Sequence, residues 1–260
     1  MYKDIYREVL MDKRKYTKTV VLYVLFAIFI ALILILFSSA FRSLISNKSN
    51  VSPTVANPDK ITYVIDPGHG GEDGGAIAED GTLEKELNLE LSKALCLIFE
   101  LNGSDVRMTR EADTLLYDHY DDLDSYKGKK KVYDLKNRVK ITNEYENPVF
   151  ISIHMNKFYD PKYGGMQIYY SKNNSESKIL GENVQKNYET YIKNANKRAI
   201  KSADSSIYVL NNLSCPAILV ECGFLSNAKD VASLKTEEYR RALCLVIATS
   251  ALSTVVDNQS

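Results

Sequence analysis

Ile61-Thr62-Tyr63-Val64-Ile65-Asp66-Pro67-Gly68-His69-Gly70-Gly71 is the stretch that decides how this chain folds. An apolar, β-branched run that stops at a Pro-Gly pair reads as a buried strand opening into a loop. His69 therefore stands where a strand ends. A second run, Val149-Phe150-Ile151-Ser152-Ile153, closes in the same way at His154. In open α/β sheets the ligand crevice lies beyond the carboxyl ends of the strands, so two of the chain's three histidines fall where a site is expected.

Outward from His69, a glycine-rich loop (Gly70, Gly71, Gly74, Gly75) leads through Asp80-Gly81-Thr82 into a helical pattern starting near Leu83. There Leu83, Leu87, Leu91, Ala94, Leu95 and Ile98 share one face, as packing against a sheet requires. The rest of the chain alternates between the two periodicities. Strands are expected at 61–66, 104–109, 148–154, 165–170, 206–210 and 216–222, and helices at 83–101, 134–146, 176–195 and 236–254. Such alternation predicts a single α/β domain over 61–254: a twisted, mostly parallel or mixed sheet of about six strands flanked by helices.

The amino terminus differs in kind. Thr19 to Phe41 carries no charged residue, and a span of that length matches a bilayer core. Six basic residues precede it and only Arg42 and Lys48 follow before position 51. The positive-inside rule then leaves residues 1–18 in the cytoplasm and the remainder on the extracytoplasmic side. A cleaved signal peptide is the competing reading, with Ser38-Ser39-Ala40 at its cleavage positions, but a signal core of about 7–15 apolar residues is shorter than this one. Residues 42–60, rich in Ser, Asn and Pro, read as a tether. Beyond position 50 there are 25 basic against 30 acidic residues, which speaks against a nucleic-acid partner.

Cys96, Cys215, Cys222 and Cys244 lie in apolar runs with no CxxC spacing. Buried free thiols are the simplest reading, and one disulfide on an oxidising membrane face is the alternative. Residues 117–131 segregate acidic from basic side chains, which suits a solvated loop or a flap facing substrate. His119, inside it, reads as a solvated loop residue.

Glu84 falls in the first turn of the helix after the glycine loop, so its carboxylate can meet His69, with His154 arriving from another strand. Two imidazoles, a carboxylate and a vacant fourth position make the ligand set of a catalytic zinc site. The bland alternative is a pair of hydrogen-bonded structural histidines. The glycine loop has neither GxGxxG spacing nor a Walker lysine, which leaves little case for a nucleotide. Glu221 ends the apolar run Ala217–Val220; an unpaired buried carboxylate is costly, so it either pairs with a cation or works on chemistry at the same sheet edge. Cys222 raises a thiol alternative with His154 as base and Asn156 as orienter, but strand alternation puts Cys222 on the face opposite Glu221.

Five segments occur in order: Ile65-Asp66-Pro67-Gly68-His69-Gly70-Gly71, Leu83-Glu84-Lys85-Glu86-Leu87-Asn88-Leu89, Thr109-Arg110, Ser152-Ile153-His154-Met155-Asn156 and Val220-Glu221-Cys222-Gly223-Phe224-Leu225-Ser226-Asn227. With them the chain resembles zinc-dependent N-acetylmuramoyl-L-alanine amidases of the amidase-3 type over residues 61–252. The resemblance implies Zn2+ held by His69, Glu84 and His154, Glu221 as the catalytic carboxylate, and peptidoglycan as substrate. It chooses Glu84 over Glu86, because the family's ligand immediately precedes the lysine, here Lys85. Met155 stands where Ala is common and Cys222 where Thr or Val is frequent; neither is a ligand. The insertion after Asp113 resembles the spore-cortex members, which implies a role in muramic-δ-lactam formation and germination. Asp66 and Asn156 are expected either to orient ligands or to serve as plain turn and cap residues. A zinc endopeptidase of the wall and a catalytically inert wall-binding scaffold are the rival functions, the second opposed by the intact quartet. The need for an accessory activating protein is not legible in the sequence.

Overall fold

The computed structural model describes residues 60–116 and 129–258. The expected membrane span 19–41, the tether up to residue 59 and His119 lie outside them. Among the described residues no helix is long and apolar enough to cross a membrane.

The elements run β1 (Thr62–Pro67), α1 (Glu84–Leu101), β2 (Asp105–Met108), α2 (Lys130–Thr142), β3 (Pro148–Asn156), β4 (Gln167–Tyr170), α3 (Ser175–Tyr191), β5 (Lys201–Ser202), α4 (Tyr208–Asn212), β6 (Ala217–Phe224), α5 (Ala228–Leu234) and α6 (Glu237–Asn258). Six strands form one sheet in the order β2-β1-β3-β6-β4-β5. All pairs are parallel except β4 with β6. The α/β architecture with a mixed six-stranded sheet is therefore as expected.

Strand alternation splits the apolar side chains between two layers. On one face Ile65, Ile151, Ile153, Val220 and Cys222 pack with Leu87, Leu91 and Leu95 of α1 and with α6, and Tyr63 stacks on Phe99 at 4.2 Å. Each fully buried leucine contributes roughly 1.5–3 kcal/mol. On the other face Val64, Phe150 and Leu219 meet Val209, Leu210 and Leu213 around α4. That second layer is smaller, and it leaves the carboxyl ends of β1, β3 and β6 uncovered for polar side chains.

Three expectations are corrected. Residues 206–210, expected as a strand, hold most of the short helix α4, and the strand that completes the sheet is β5, Lys201–Ser202. So short an apolar run fits either state, and the contacts beneath Phe150 and Leu219 select the helix. Helix α2 begins four residues ahead of the expected 134, taking in Lys130 and Lys131. Helix α5 was not expected, although Asn227 caps it by accepting from the amides of Lys229 and Asp230, a start signal legible in sequence.

Candidate metal centre

β1 ends at Pro67, and the backbone then turns sharply: His69 takes φ 61°, Gly70 φ 138° and Gly71 φ 54°. A left-handed conformation at a residue with a Cβ costs about 1–2 kcal/mol and persists where surroundings over-determine it. Two buried arginines do so here. Arg110 donates to the carbonyls of Pro67 (2.9 Å) and Gly68 (2.9 Å), and Arg138 to those of Pro67 (2.8 Å) and His69 (2.7 Å). Arg138 is itself neutralised by Asp134 and Asp66. Burial would push the Asp66 carboxyl up, but Arg138 and the hydroxyls of Ser152 and Thr109 hold it below the usual range.

Glu84 opens α1, and its carboxylate is fully committed. Oε2 accepts from the Ala76 amide at 2.7 Å. Oε1 lies 3.1 Å from His69 Nε2 and 2.9 Å from His154 Nδ1, and accepts from the Met155 amide at 3.1 Å. Burial works against its charge, yet the two histidines hold it ionised far below its ordinary range. His69 shows the converse. Burial opposes its charge, but with Asp73 Oδ2 at 2.9 Å from Nδ1 and Glu84 facing Nε2 its pKa rises to about 9.

One donor atom from each of His69, Glu84 and His154 lies within 4.8 Å of the others. In a tetrahedron with bonds of about 2.0–2.1 Å the donor atoms stand roughly 3.3–3.4 Å apart. The observed 2.9 and 3.1 Å along two edges need to open by only a few tenths of an ångström, so the donor set fits zinc. The packing around it leaves no room for larger residues: a Cβ on Gly68 would lie 2.2 Å from His154 ring atoms, and one on Gly75 2.6 Å from Glu84 Oε2.

Glu221 is the register partner of His154 on the neighbouring parallel strand and of Gln167 on the other side. Its Oε2 is shielded from solvent and has no hydrogen-bond partner among the described residues. Burial, and then the charge of Glu84, push its pKa up to about 8. An acid of that kind holds a proton near neutrality and releases it when a cation arrives beside it.

A cavity of about 360 Å³ opens beside this edge, lined by His69, His154 and Glu221 and, further along, by Lys131, Tyr169 and Tyr208. Asp66 does not orient a histidine. Its oxygens are taken by Thr109, Ser152 and Arg138. Asn156 contributes its backbone carbonyl to Leu225. The residue that sequence reading missed is Asp73, whose only sequence signal is its position four residues after His69 in the glycine loop. All four cysteines are free, and Cys222 lies in the apolar core on the face opposite Glu221, with its thiol pushed well up by burial. That disposes of the thiol alternative.

Comparison with known proteins converges on the same reading of the fold. A family model described as N-acetylmuramoyl-L-alanine amidase matches residues 64–252. The chain is 33% identical over 203 residues to the germination-specific N-acetylmuramoyl-L-alanine amidase of Bacillus subtilis, covering 77% of this chain and 82% of that protein. It is 31% identical over 204 residues to the amidase LytC of the same organism, covering 76% of this chain and 37% of that one. Among solved structures, the CwlD amidase from Clostridioides difficile in complex with the GerS lipoprotein matches with a TM-score of 0.69 at 35% identity, over 75% of this chain and 98% of that one. With the match covering nearly the whole described domain, the chain belongs to the N-acetylmuramoyl-L-alanine amidase family Amidase_3.

Proposed function

We propose that this chain is a zinc-dependent amidase that hydrolyses the bond between the lactyl group of N-acetylmuramic acid and the L-alanine of the stem peptide. The observation that carries this reading is the three-donor face of His69, Glu84 and His154 with Glu221 in register beside it. When bound there, zinc supplies Lewis acidity toward a water molecule and the scissile carbonyl. Glu221, which lines the cavity and whose Oε2 has no hydrogen-bond partner among the described residues, is the carboxylate free to take a proton from the attacking water and return it to the departing L-alanine nitrogen. Asp73 orients the His69 ring through Nδ1, leaving Nε2 for the metal. Arg110 and Arg138 hold the ligand loop by its carbonyls.

The likeness to the germination-specific enzyme supports work on spore cortex. On that reading the amidase removes stem peptides so that muramic-δ-lactam can form. We further assign residues 19–41 to a membrane anchor, 42–60 to a tether and the domain from 61 to the extracytoplasmic side, on the apolar run and its basic flank. Because the C. difficile relative is seen with a lipoprotein, an accessory protein on the same side of the membrane is part of the proposal.

Digestion of purified sacculi tests the activity. Released stem peptides with free muramic lactyl groups are expected; cleaved cross-links with stems still attached to glycan would establish the endopeptidase instead. Spores made without this protein are expected to lack muramic-δ-lactam, and an unchanged lactam content would remove the cortex role.

A further inference from the structure

Asp73 Oδ2 is shared between two neighbours: the His69 ring, with Nδ1 at 2.9 Å, and the Lys131 ammonium, with Nζ at 3.3 Å. Lys131 belongs to the first turn of α2 and lines the cavity. Its neighbour Lys130 pairs at 2.8 Å with Glu72, which does not touch the histidine.

Two effects of Lys131 compete. It could steady Asp73, so that its loss would loosen His69, or it could draw on the carboxylate's charge, so that its loss would make His69 a stronger donor. Asp73 is already anchored without it. Its backbone exchanges two hydrogen bonds with Gly70 (2.9 and 3.0 Å), Oδ1 accepts from the Gly75 amide at 3.2 Å, and Oδ2 faces the ring. Charge withdrawal is what remains. A carboxylate behind a ligand imidazole raises the ring's basicity and the metal's affinity, and a cation on that carboxylate subtracts from the gain.

Resting on the metal site proposed above, we infer that Lys131 is a positioning residue that weakens zinc binding through Asp73 and His69. Its side chain is 66% exposed, so the effect has the size of an exposed ion pair, about two- to fivefold in affinity.

The test is the zinc affinity of the full-length chain, read by competition with a chromogenic chelator at fixed pH and low salt. Lys131→Met is expected to bind zinc about two- to fivefold tighter than the unsubstituted chain, Lys131→Arg to match it, and Lys130→Met to leave it unchanged. Asp73→Asn is expected to weaken binding about 10–100-fold, and Lys131→Met to add nothing in that background. Equal or weaker binding by Lys131→Met overturns the inference. So does a tightening that persists beside Asp73→Asn, since that would be bare repulsion between ammonium and metal. If the unsubstituted chain bound no zinc, the proposed function would fail first; normal binding with a flat Lys131→Met response defeats this inference alone.

Discussion

His154 on β3 and Glu221 on β6 are register partners on adjacent parallel strands, which places a metal donor side by side with a carboxylate whose Oε2 has no hydrogen-bond partner among the described residues. The register shifts just beyond them, between His154 and Asn156, and the pairing resumes with Asn156 opposite Phe224. Because Glu221 is outside the three-donor cluster, Glu221→Gln is expected to keep one zinc per chain while amidase turnover falls by about 10²–10⁴. Metal analysis alongside stem-peptide release checks this; turnover within tenfold of the unsubstituted enzyme would strip Glu221 of its role.

Gly68 allows the His154 ring its place. A methyl group there would sit 2.2 Å from Cε1 and Nε2, so Gly68→Ala is expected to displace the ligand, lower zinc affinity at least tenfold and destabilise the fold by about 1–3 kcal/mol. Gly81 offers the contrast: φ is +86° and nothing lies within 4 Å of an added Cβ. Gly81→Ala should cost about 1–2 kcal/mol of backbone strain and leave zinc binding untouched. Chelator competition and denaturant melts separate the two cases.

Metal uptake should release protons. His69 is raised to about 9 by Asp73 and Glu84 against the opposing pull of burial, so at pH 7.5 the metal-free ring carries a proton that zinc must displace. Calorimetry in buffers of different ionisation enthalpy is expected to read about one proton from His69, fading as pH passes 9. Glu221, pushed up to about 8 by burial and Glu84, adds a share that Glu221→Gln removes. The same His69 shift stabilises the metal-free fold fully below about pH 6.5 and withdraws that stability as pH rises through about 9. Zinc uptake without proton release at pH 7.5 would contradict the picture of His69 drawn here.

Arg138 and Asp66 are almost completely buried together. Arg138→Met takes from buried Asp66 and Asp134 the guanidinium that pairs with both, leaving only the charge of nearby Arg110, and leaves the His69 carbonyl without its donor. Loss of about 3–5 kcal/mol is expected by chemical denaturation, and Asp66→Asn in the same chain should recover part of it. A loss below 1 kcal/mol would show that the ligand loop does not depend on this ion cluster.

Much of this site was legible because its ligands stand where periodicity changes. His69 and His154 end apolar runs, and Glu84 starts a clean amphipathic helix, so strand ends and a helix start could be named from pattern alone. Glu221 announced itself as a carboxylate closing an apolar strand. What sequence hid was contact across distance. Asp73 is one acidic residue in a polar loop, and only the fold shows that Oδ2 meets His69 Nδ1. Asp66 sits beside the site in sequence but is claimed by Arg138, 72 positions away. Residues 206–210 misled for a related reason: a helix of five residues is too short for its period to be told from a strand's, and packing beneath the sheet decides it.

Zinc stoichiometry measured together with turnover on purified sacculi tests the central claim most directly. One zinc per active chain is expected, with activity lost on chelation, restored by zinc, and absent along with the metal in His154→Ala. A preparation that releases stem peptides at full rate while holding no transition metal would contradict it.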